Sequence, residues 1–465
     1  MIDLLIRGGQ VVTPAGVSHT DVAVEGERIV AIGRFDGHAH RVIEAQGLLV
    51  LPGLVDAHVH MHIASWNAVS PNDWYRGTVA AALGGVTTVI DFPTQTRGRP
   101  MMEVVEKYRK EAGSNTVIDY GLHMAITEAT PATLCEIEHV VEYGIPSFKM
   151  FMTYRSHNIM VEDDEILEIC QRVHDCGGLP GVHAENASLA EHNYERFEAE
   201  GLRAPRYHAL AKPDYVEAEA VNRALFLARV AGSRFYIYHL TTAMGVELVR
   251  QARQVGQPVL AETCTHYLTL TRAMLDRPDG VNWICSPPLR DVADQQALWS
   301  GLNDGTIAVI STDEAGFNAA DKAHAASECP LDEIPNGLPG VELRLPVMFA
   351  QGVQMGKLSL ERFVALNCTN PSRVFGLYPR KGVIAPGSDA DLIVINPDRH
   401  VTLNTETQHM PVDWCAYEGM DVVGYPAYTI ARGQVIVDDY RFCGERGRGE
   451  FVPGCIEEQY LETLW

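Results

Sequence analysis

Eight short apolar runs recur between residues 50 and 313, and helix-like segments lie between most of them. The runs are VLPGLVDAHV, TTVIDF, VIDYGLHMA, SFKMFM, PGVHAE, RFYIYHL, VLAETC and AVISTD. DWYRGTVAAALGG follows the first. PATLCEIEHVVEYG, DDEILEICQRVHDCGG, YVEAEAVNRALFLARVAG, GVELVRQARQVG and DVADQQALWSGLNDG precede the fourth to the eighth in turn. Strand and helix alternating in this way predict a (β/α)8 TIM-like barrel, an α/β fold. Gly144, Gly178, Gly232, Gly256 and Gly305 fall where helix C-caps are expected. A doubly wound open sheet is the competing architecture, but no Gly-rich phosphate fingerprint follows a strand.

The two ends of the chain have a different texture. LLIRGGQVV, DVAVEGERIVAIG and RVIEAQGLLV near the start, and DADLIVINPD, CAYEGMDVVG and YTIARGQVIVDD near the end, are short strand-like stretches broken by turns. They predict one small β-sandwich formed by both termini, with two independent β-extensions as the alternative. The expected division is 1–50 and 379–465 for the sandwich and tail, and 51–378 for the barrel. A chain of 465 residues with 46% apolar and 21% charged residues is long enough for both.

In a barrel of this kind chemistry sits at the C-terminal ends of the strands. The first run ends in GLVDAHVHMH, which places His58 and His60 two residues apart and therefore on one face of a strand. Neutral imidazoles so placed can grip one metal ion, although a strand ending in solvated histidines has the same pattern. Later runs carry Lys149, His183, His239 and Asp313 at their ends. Each alone has an ordinary reading: a hydrogen-bonded histidine, a loop-capping aspartate, a lysine reaching water. Six such residues at one rim point to a metal centre. Lys149 lies among the apolar residues of SFKMFM, where desolvation lowers its pKa. A neutral amine can add carbon dioxide and become a carbamate, an anion with two oxygens able to bridge two cations.

Formal net charge is −23, so phosphate backbones and anionic lipid are repelled. No nucleic acid and no membrane partner is expected, and a neutral substrate or a locally positive, metal-centred site is favoured. No basic leader with an apolar core opens the chain, and no apolar run approaches a membrane span. Ten cysteines without a CxxC pair read as reduced, mostly buried thiols of a cytoplasmic protein. Cys264 and Cys285 lie near the expected site and read as small buried hydrophobes before soft ligands.

GLVDAHVH, SFKMFMTY, GVHAEN, YIYHLTT and STD occur in this order, followed by GVIAPGSDADLIVI and EGMDVVGYPAYTIARGQVI. As a set they resemble the cyclic-amide amidohydrolases (dihydropyrimidinases, hydantoinases, allantoinases and dihydroorotases) over essentially the whole chain. The resemblance implies two divalent metal ions. His58, His60 and Asp313 would hold one, His183 and His239 the other, and N6-carboxylated Lys149 and a hydroxide would bridge them. Zinc (Zn2+) suits the nitrogen and oxygen ligands, with manganese, cobalt or iron also compatible. The implied activity is ring opening of a small neutral cyclic amide, a dihydropyrimidine or 5-substituted hydantoin, to an N-carbamoyl amino acid. Asp313 would move the proton from water to the leaving nitrogen. An allantoinase or other cyclic ureide or imide hydrolase is the alternative, and a non-catalytic scaffold of the same fold is disfavoured by survival of all six ligand residues. Relatives imply a homotetramer or homodimer.

Three features select within that family. Dihydroorotases carry an Arg two residues after the HxH pair; here that position is His62, which disfavours a carboxylate-bearing substrate. Tyr154, five residues after Lys149, matches the tyrosine that serves the oxyanion in dihydropyrimidinases and hydantoinases and that allantoinases generally lack. Ser286 in CSPPLR and Asn336 in NGLPGVE match residues whose main chain binds the ring's ureide edge, though both stretches are also strong turn formers. The His62–Asp73 and Glu314–Pro335 loops depart from the family pattern and are expected to shape the substrate side. Of Trp66, Trp74, Phe151 and Phe317, only Trp66 is favoured as a pocket residue over core.

Overall fold

In the computed structural model, which describes residues 2–65 and 68–464, every one of the apolar runs contains a strand. The strands are Leu54–Val59, Val86–Asp91, Asp119–Leu122, Ser147–Phe151, Leu179–His183, Phe235–Ile237, Val259–Cys264 and Val309–Ser311, with Met124–Ala125 extending the third. All their residues are buried. This explains the continuous apolar runs, because helices cover one face of such a sheet and packed side chains fill the other. Successive strands pair in parallel. The ring closes where His60 N donates to Glu314 O at 2.8 Å, joining the first strand to the chain leaving the eighth.

Helices Trp74–Leu83, Pro131–Glu142, Asp163–Asp175, Asp214–Ala231, Ala243–Gln254 and Val292–Asp304 occupy the segments expected for them. Helix Met101–Gly113, which crosses from the second strand to the third, was legible in the spacing of buried Met101, Val105 and Ala112 but was not singled out. Asp73 caps the first helix by accepting from Tyr75 N at 3.0 Å and Arg76 N at 2.8 Å, a contribution of about 1 kcal/mol. Gly232 and Gly305 are left-handed C-caps, with φ of 67° and 88°. After helix Asp163–Asp175 the left-handed glycine is Gly177, not Gly178, because Cys176 already caps the helix and the chain turns one residue earlier. Gly178 is required for another reason: a Cβ there would lie 2.8 Å from Pro146 O.

Both termini enter one nine-stranded sheet. Its order is Arg441–Phe442, Gln434–Asp438, Asp421–Ala431, Leu392–Thr402, Leu49–Pro52, Ile2–Thr13, Gly16–Glu25 and Arg28–Ile32, with Ala39–Glu44 also paired to Ile2–Thr13. The central contact, Leu392–Thr402 against Leu49–Pro52, joins the C-terminal part of the chain to the N-terminal part. The sheet is pinned to the barrel by a buried ionic cluster. Lys381 Nζ donates to Asp119 Oδ2 at 2.6 Å and Asp391 Oδ2 at 2.7 Å, and Arg432 Nε donates to Asp119 Oδ1 at 3.1 Å. Among the described residues no helix is long and apolar enough to cross a membrane, and all ten cysteines are free thiols, Cys264 and Cys285 among the buried ones.

Candidate metal centre

His58 and His60 leave the end of the first strand on one face, as their spacing predicts. His58 Nε2 and His60 Nε2 each lie 3.1 Å from Asp313 Oδ1, which comes from the end of the eighth strand across the closure of the ring. Lys149 Nζ, from the fourth strand, lies 2.9 Å from His58 Nε2. The amine sits over the rings of Phe92, Phe151 and Tyr238 at 4.4, 5.2 and 5.1 Å. His183 and His239 pack ring against ring with centroids 4.5 Å apart, and the His239 ring is 5.4 Å from that of His58. A methyl at Gly181 would lie 2.6 Å from Tyr236 O, so the fifth and sixth strands approach this closely only because that residue is glycine.

One cavity of about 710 Å3 is lined by His60, Lys149, His183, His239 and Asp313 and also by Tyr154, Ser286 and Asn336. Thus eight of the nine residues singled out from sequence face one space, and the ninth, His58, lies directly behind it. Phe151 is buried, as expected of a core residue, and also lines the same cavity. Trp74 and Phe317 are core. Trp66 lies outside the described residues. The His62–Asp73 loop contributes Ile63, Ala64, Ser65 and Val69 to the wall.

The hydrogen-bond partners decide which ring nitrogens remain for a cation. His58 Nδ1 is held by Glu262 Oε1, leaving Nε2. His183 Nε2 donates to Glu185 Oε2 at 2.7 Å, leaving Nδ1. The buried Nδ1 of His239 has no hydrogen-bond partner among the described residues. Carboxylate–histidine pairs of this kind fix tautomer and ring angle in metal sites. Burial holds His60 down to about 4 and drives His183 and His239 below their ordinary value, so these imidazoles are neutral at pH 7 and offer lone pairs. His58 differs. Burial and the Lys149 ammonium act to lower it, but the Asp313 and Glu262 carboxylates outweigh them and it is raised. Burial likewise acts to raise Asp313, and His58 and His60 more than cancel it, holding the carboxyl well below the usual range. Burial lowers the Lys149 amine. The donor set is borderline and mixed nitrogen–oxygen, and an orphaned buried imidazole nitrogen is otherwise costly, so these residues fit divalent metal.

Backbone strain collects here. His239 has φ of 35°, Asp313 49°, Tyr154 65° and His62 56°, all in the left-handed region that non-glycine residues avoid. Such conformations persist where surrounding structure over-determines them. For His239 part of that constraint is Glu262 Oε1, which accepts from its backbone N at 3.3 Å while also holding the His58 ring.

Several residues that organise the site were not singled out from sequence. Glu262 is a charged residue within an apolar strand, the same signal that marks Lys149. Glu185 follows His183 at a same-face spacing. Glu314, flagged as a departure, is not a pocket residue. It is buried, accepts from Asn72 Nδ2 at 2.6 Å, Gly340 N at 2.6 Å and Val341 N at 2.9 Å, and so ties the first divergent loop and the turn at Gly340–Val341 to the end of the eighth strand. Lys212 and Lys322 carried no signal, because their partners are distant in sequence.

A family model for the amidohydrolase family matches residues 49–436. The chain belongs to the amidohydrolase family. Over 454 residues it is 40% identical to a D-hydantoinase of Ralstonia pickettii, covering 97% of this chain and 98% of that one. It is 41% identical over 456 residues to a D-phenylhydantoinase of Escherichia coli, with 97% of each covered. The crystal structure of dihydropyrimidinase from Brevibacillus agri superposes with a TM-score of 0.95 at 36% identity, over 98% of this chain and 99% of that one. The mixed α/β fold with its parallel strands is therefore that of hydantoinases and dihydropyrimidinases.

Proposed function

We propose that this amidohydrolase opens the ring of a 5-substituted hydantoin or a dihydropyrimidine, hydrolysing the cyclic amide to an N-carbamoyl amino acid. The observation that carries the reading is the convergence of His58, His60, Asp313 and the buried Lys149 amine on a cavity that Tyr154, Ser286 and Asn336 also line. His58, His60 and Asp313 would hold one divalent ion, His183 and His239 the second, and Lys149, carboxylated on Nζ, would bridge them. Zinc is the metal this donor set suits best. Bound there, such ions would supply Lewis acidity that lowers the pKa of water and polarises a carbonyl.

The chain's own residues do the rest. Burial raises the Tyr154 phenol, keeping it a hydrogen-bond donor at neutral pH, aimed at the oxygen on which charge develops. Asp313, held ionised, accepts the proton of the attacking water and returns it to the ring nitrogen as the C–N bond breaks, sparing an amide anion as leaving group. Main-chain groups at Ser286 and Asn336 pair with the alternating N–H and C=O edge of the ring. Phe151, Ile63, Val69 and Ile159 give the cavity an apolar side for a bulky exocyclic group. We assign this work to the barrel, 51–378, with 1–50 and 379–465 forming a small β-sandwich beside it. A homotetramer or homodimer in the cytoplasm is proposed from the family resemblance and the free thiols.

The test is metal analysis by mass spectrometry of gently purified protein, with hydantoin, phenylhydantoin, dihydrouracil, allantoin and dihydroorotate as substrates. Two divalent ions per chain and N-carbamoyl products from the first three are expected. A metal-free protein, or turnover confined to allantoin or dihydroorotate, overturns the reading.

A further inference from the structure

Lys212 stands in the break between helices Arg206–Ala211 and Asp214–Ala231, 4% exposed. An ammonium this deeply buried is tolerated only where it is paired and hydrogen-bonded. Lys212 Nζ donates to Glu185 Oε2 at 2.8 Å and to Ser286 Oγ at 2.7 Å. Glu185 Oε2 is the same oxygen that accepts from His183 Nε2 at 2.7 Å. On the other side, Ser286 Oγ reaches Asn336 Oδ1 at 3.4 Å and is hydrogen-bonded to the Tyr154 hydroxyl. The ammonium also lies 5.4 Å from the Tyr154 ring centroid. One side chain therefore joins the carboxylate that orients the His183 imidazole to the Ser286 hydroxyl, on which Tyr154 and Asn336 converge.

The two contacts satisfy the buried ammonium, and they also place one side chain against both the Glu185 carboxylate and the Ser286 hydroxyl. From the double contact we infer that Lys212 is a positioning residue that couples the second metal position to ring recognition. Cation binding at His183 fixes Glu185, Glu185 fixes Lys212, and Lys212 fixes Ser286 for the ring edge. Linkage makes the effect reciprocal, so a ligand seated against Ser286 must also tighten metal binding at His183. The inference rests on the function proposed above, because it takes Ser286 as a substrate-facing residue.

The experiment measures metal retained by the full-length enzyme at equilibrium dialysis against chelator buffers, with and without N-carbamoylglycine, alongside KM and kcat for hydantoin. In the wild type the ligand is expected to tighten binding of one of the two ions. Lys212→Met is expected to bind that ion roughly ten- to a hundred-fold more weakly, the usual cost of removing a residue that orients a ligand from behind. It should also raise KM about tenfold by the same kind of loss and show no ligand protection. Lys212→Arg should restore metal retention and KM together, which a merely structural role does not require. Ser286→Ala should keep wild-type metal retention without ligand and lose the protection. Folded Lys212→Met with wild-type metal retention and KM overturns the inference. If Lys212→Met does not fold, protection that persists in Ser286→Ala overturns it instead. A wild type that shows the linkage but opens no ring sinks the proposed reaction and leaves the coupling standing.

Discussion

His58, His60 and Asp313 meet at the cavity's inner end from two neighbouring parallel strands, and each histidine Nε2 lies 3.1 Å from Asp313 Oδ1. Ser286 and Asn336 reach it from loops, and what holds those loops is charge buried behind them. Lys322 Nζ donates to the carbonyls of Asn282, Ile284 and Gly337 at 2.8, 2.9 and 2.7 Å, while Lys212 holds the Ser286 hydroxyl and Glu314 accepts from Gly340 and Val341. The inner wall is thus placed by the barrel ladder itself, and the outer wall by side chains that reach across from other parts of the chain. A strand end has its direction fixed by neighbouring hydrogen bonds, whereas a loop takes whichever conformation its tertiary partners enforce. On the proposed function, chemistry that needs sub-ångström placement would sit on the first, and recognition of a particular ring on the second.

If the inner wall is the catalytic one, Lys149→Ala should cause the largest loss. Turnover of hydantoin is expected to fall by about three orders of magnitude or more, with metal content falling in parallel in mass spectrometry. Full activity in that variant would erase the distinction between the walls. Tyr154→Phe sharpens it: kcat is expected to fall about a hundred-fold or more with both metals retained, because one oxyanion donor is removed without touching the ligands. Glu262→Gln probes the support of the inner wall. Metal affinity is expected to weaken about ten- to a hundred-fold in chelator titrations, since the His58 ring loses its carboxylate partner. A wild-type affinity would mean the strand alone orients His58.

The smallest effect concerns the outer wall. Burial drops Lys322 from its ordinary 10.5 to about 7. Between those values the unfolded chain binds more protons than the folded one, so this residue's contribution to stability rises with pH from about 7 to 10.5 and is flat below. Urea denaturation of the wild type and Lys322→Met should therefore diverge in favour of the wild type as pH climbs through that window, by at most about 1.4 kcal/mol per pH unit. A pH-independent difference would show that the lysine keeps its ordinary value and that the carbonyl cage compensates for burial.

Much of this was legible in the chain. GLVDAHVHMH carries its own periodicity, so two same-face histidines could be read without neighbours. SFKMFM announces a buried lysine by composition alone. Helix boundaries followed local caps such as Asp73, Gly232 and Gly305, and the misplaced Gly178 shows the usual one-residue uncertainty of a frayed helix end. Phe151 is both buried and cavity-lining, and an aromatic at a strand end carries no local mark that shows it does both. Glu314 was read as loop chemistry, although its four hydrogen-bond partners, Asn72, Gly316, Gly340 and Val341, place it in the core.

The order of apolar runs determined that strands would lie side by side in a parallel ring, and the residues at their ends determined which ligands could face a common ion. Both follow from local rules: strand periodicity, helix capping and the insolubility of apolar side chains. Tertiary structure alone decided that Glu262 would sit behind His58, that Glu185 and Lys212 would link His183 to Ser286, and that Lys322 would seal the carbonyls of two distant loops. The separations involved, such as 204 residues between His58 and Glu262 and 74 between Lys212 and Ser286, leave no periodic trace. A buried polar group takes whichever partner the folded chain brings within reach.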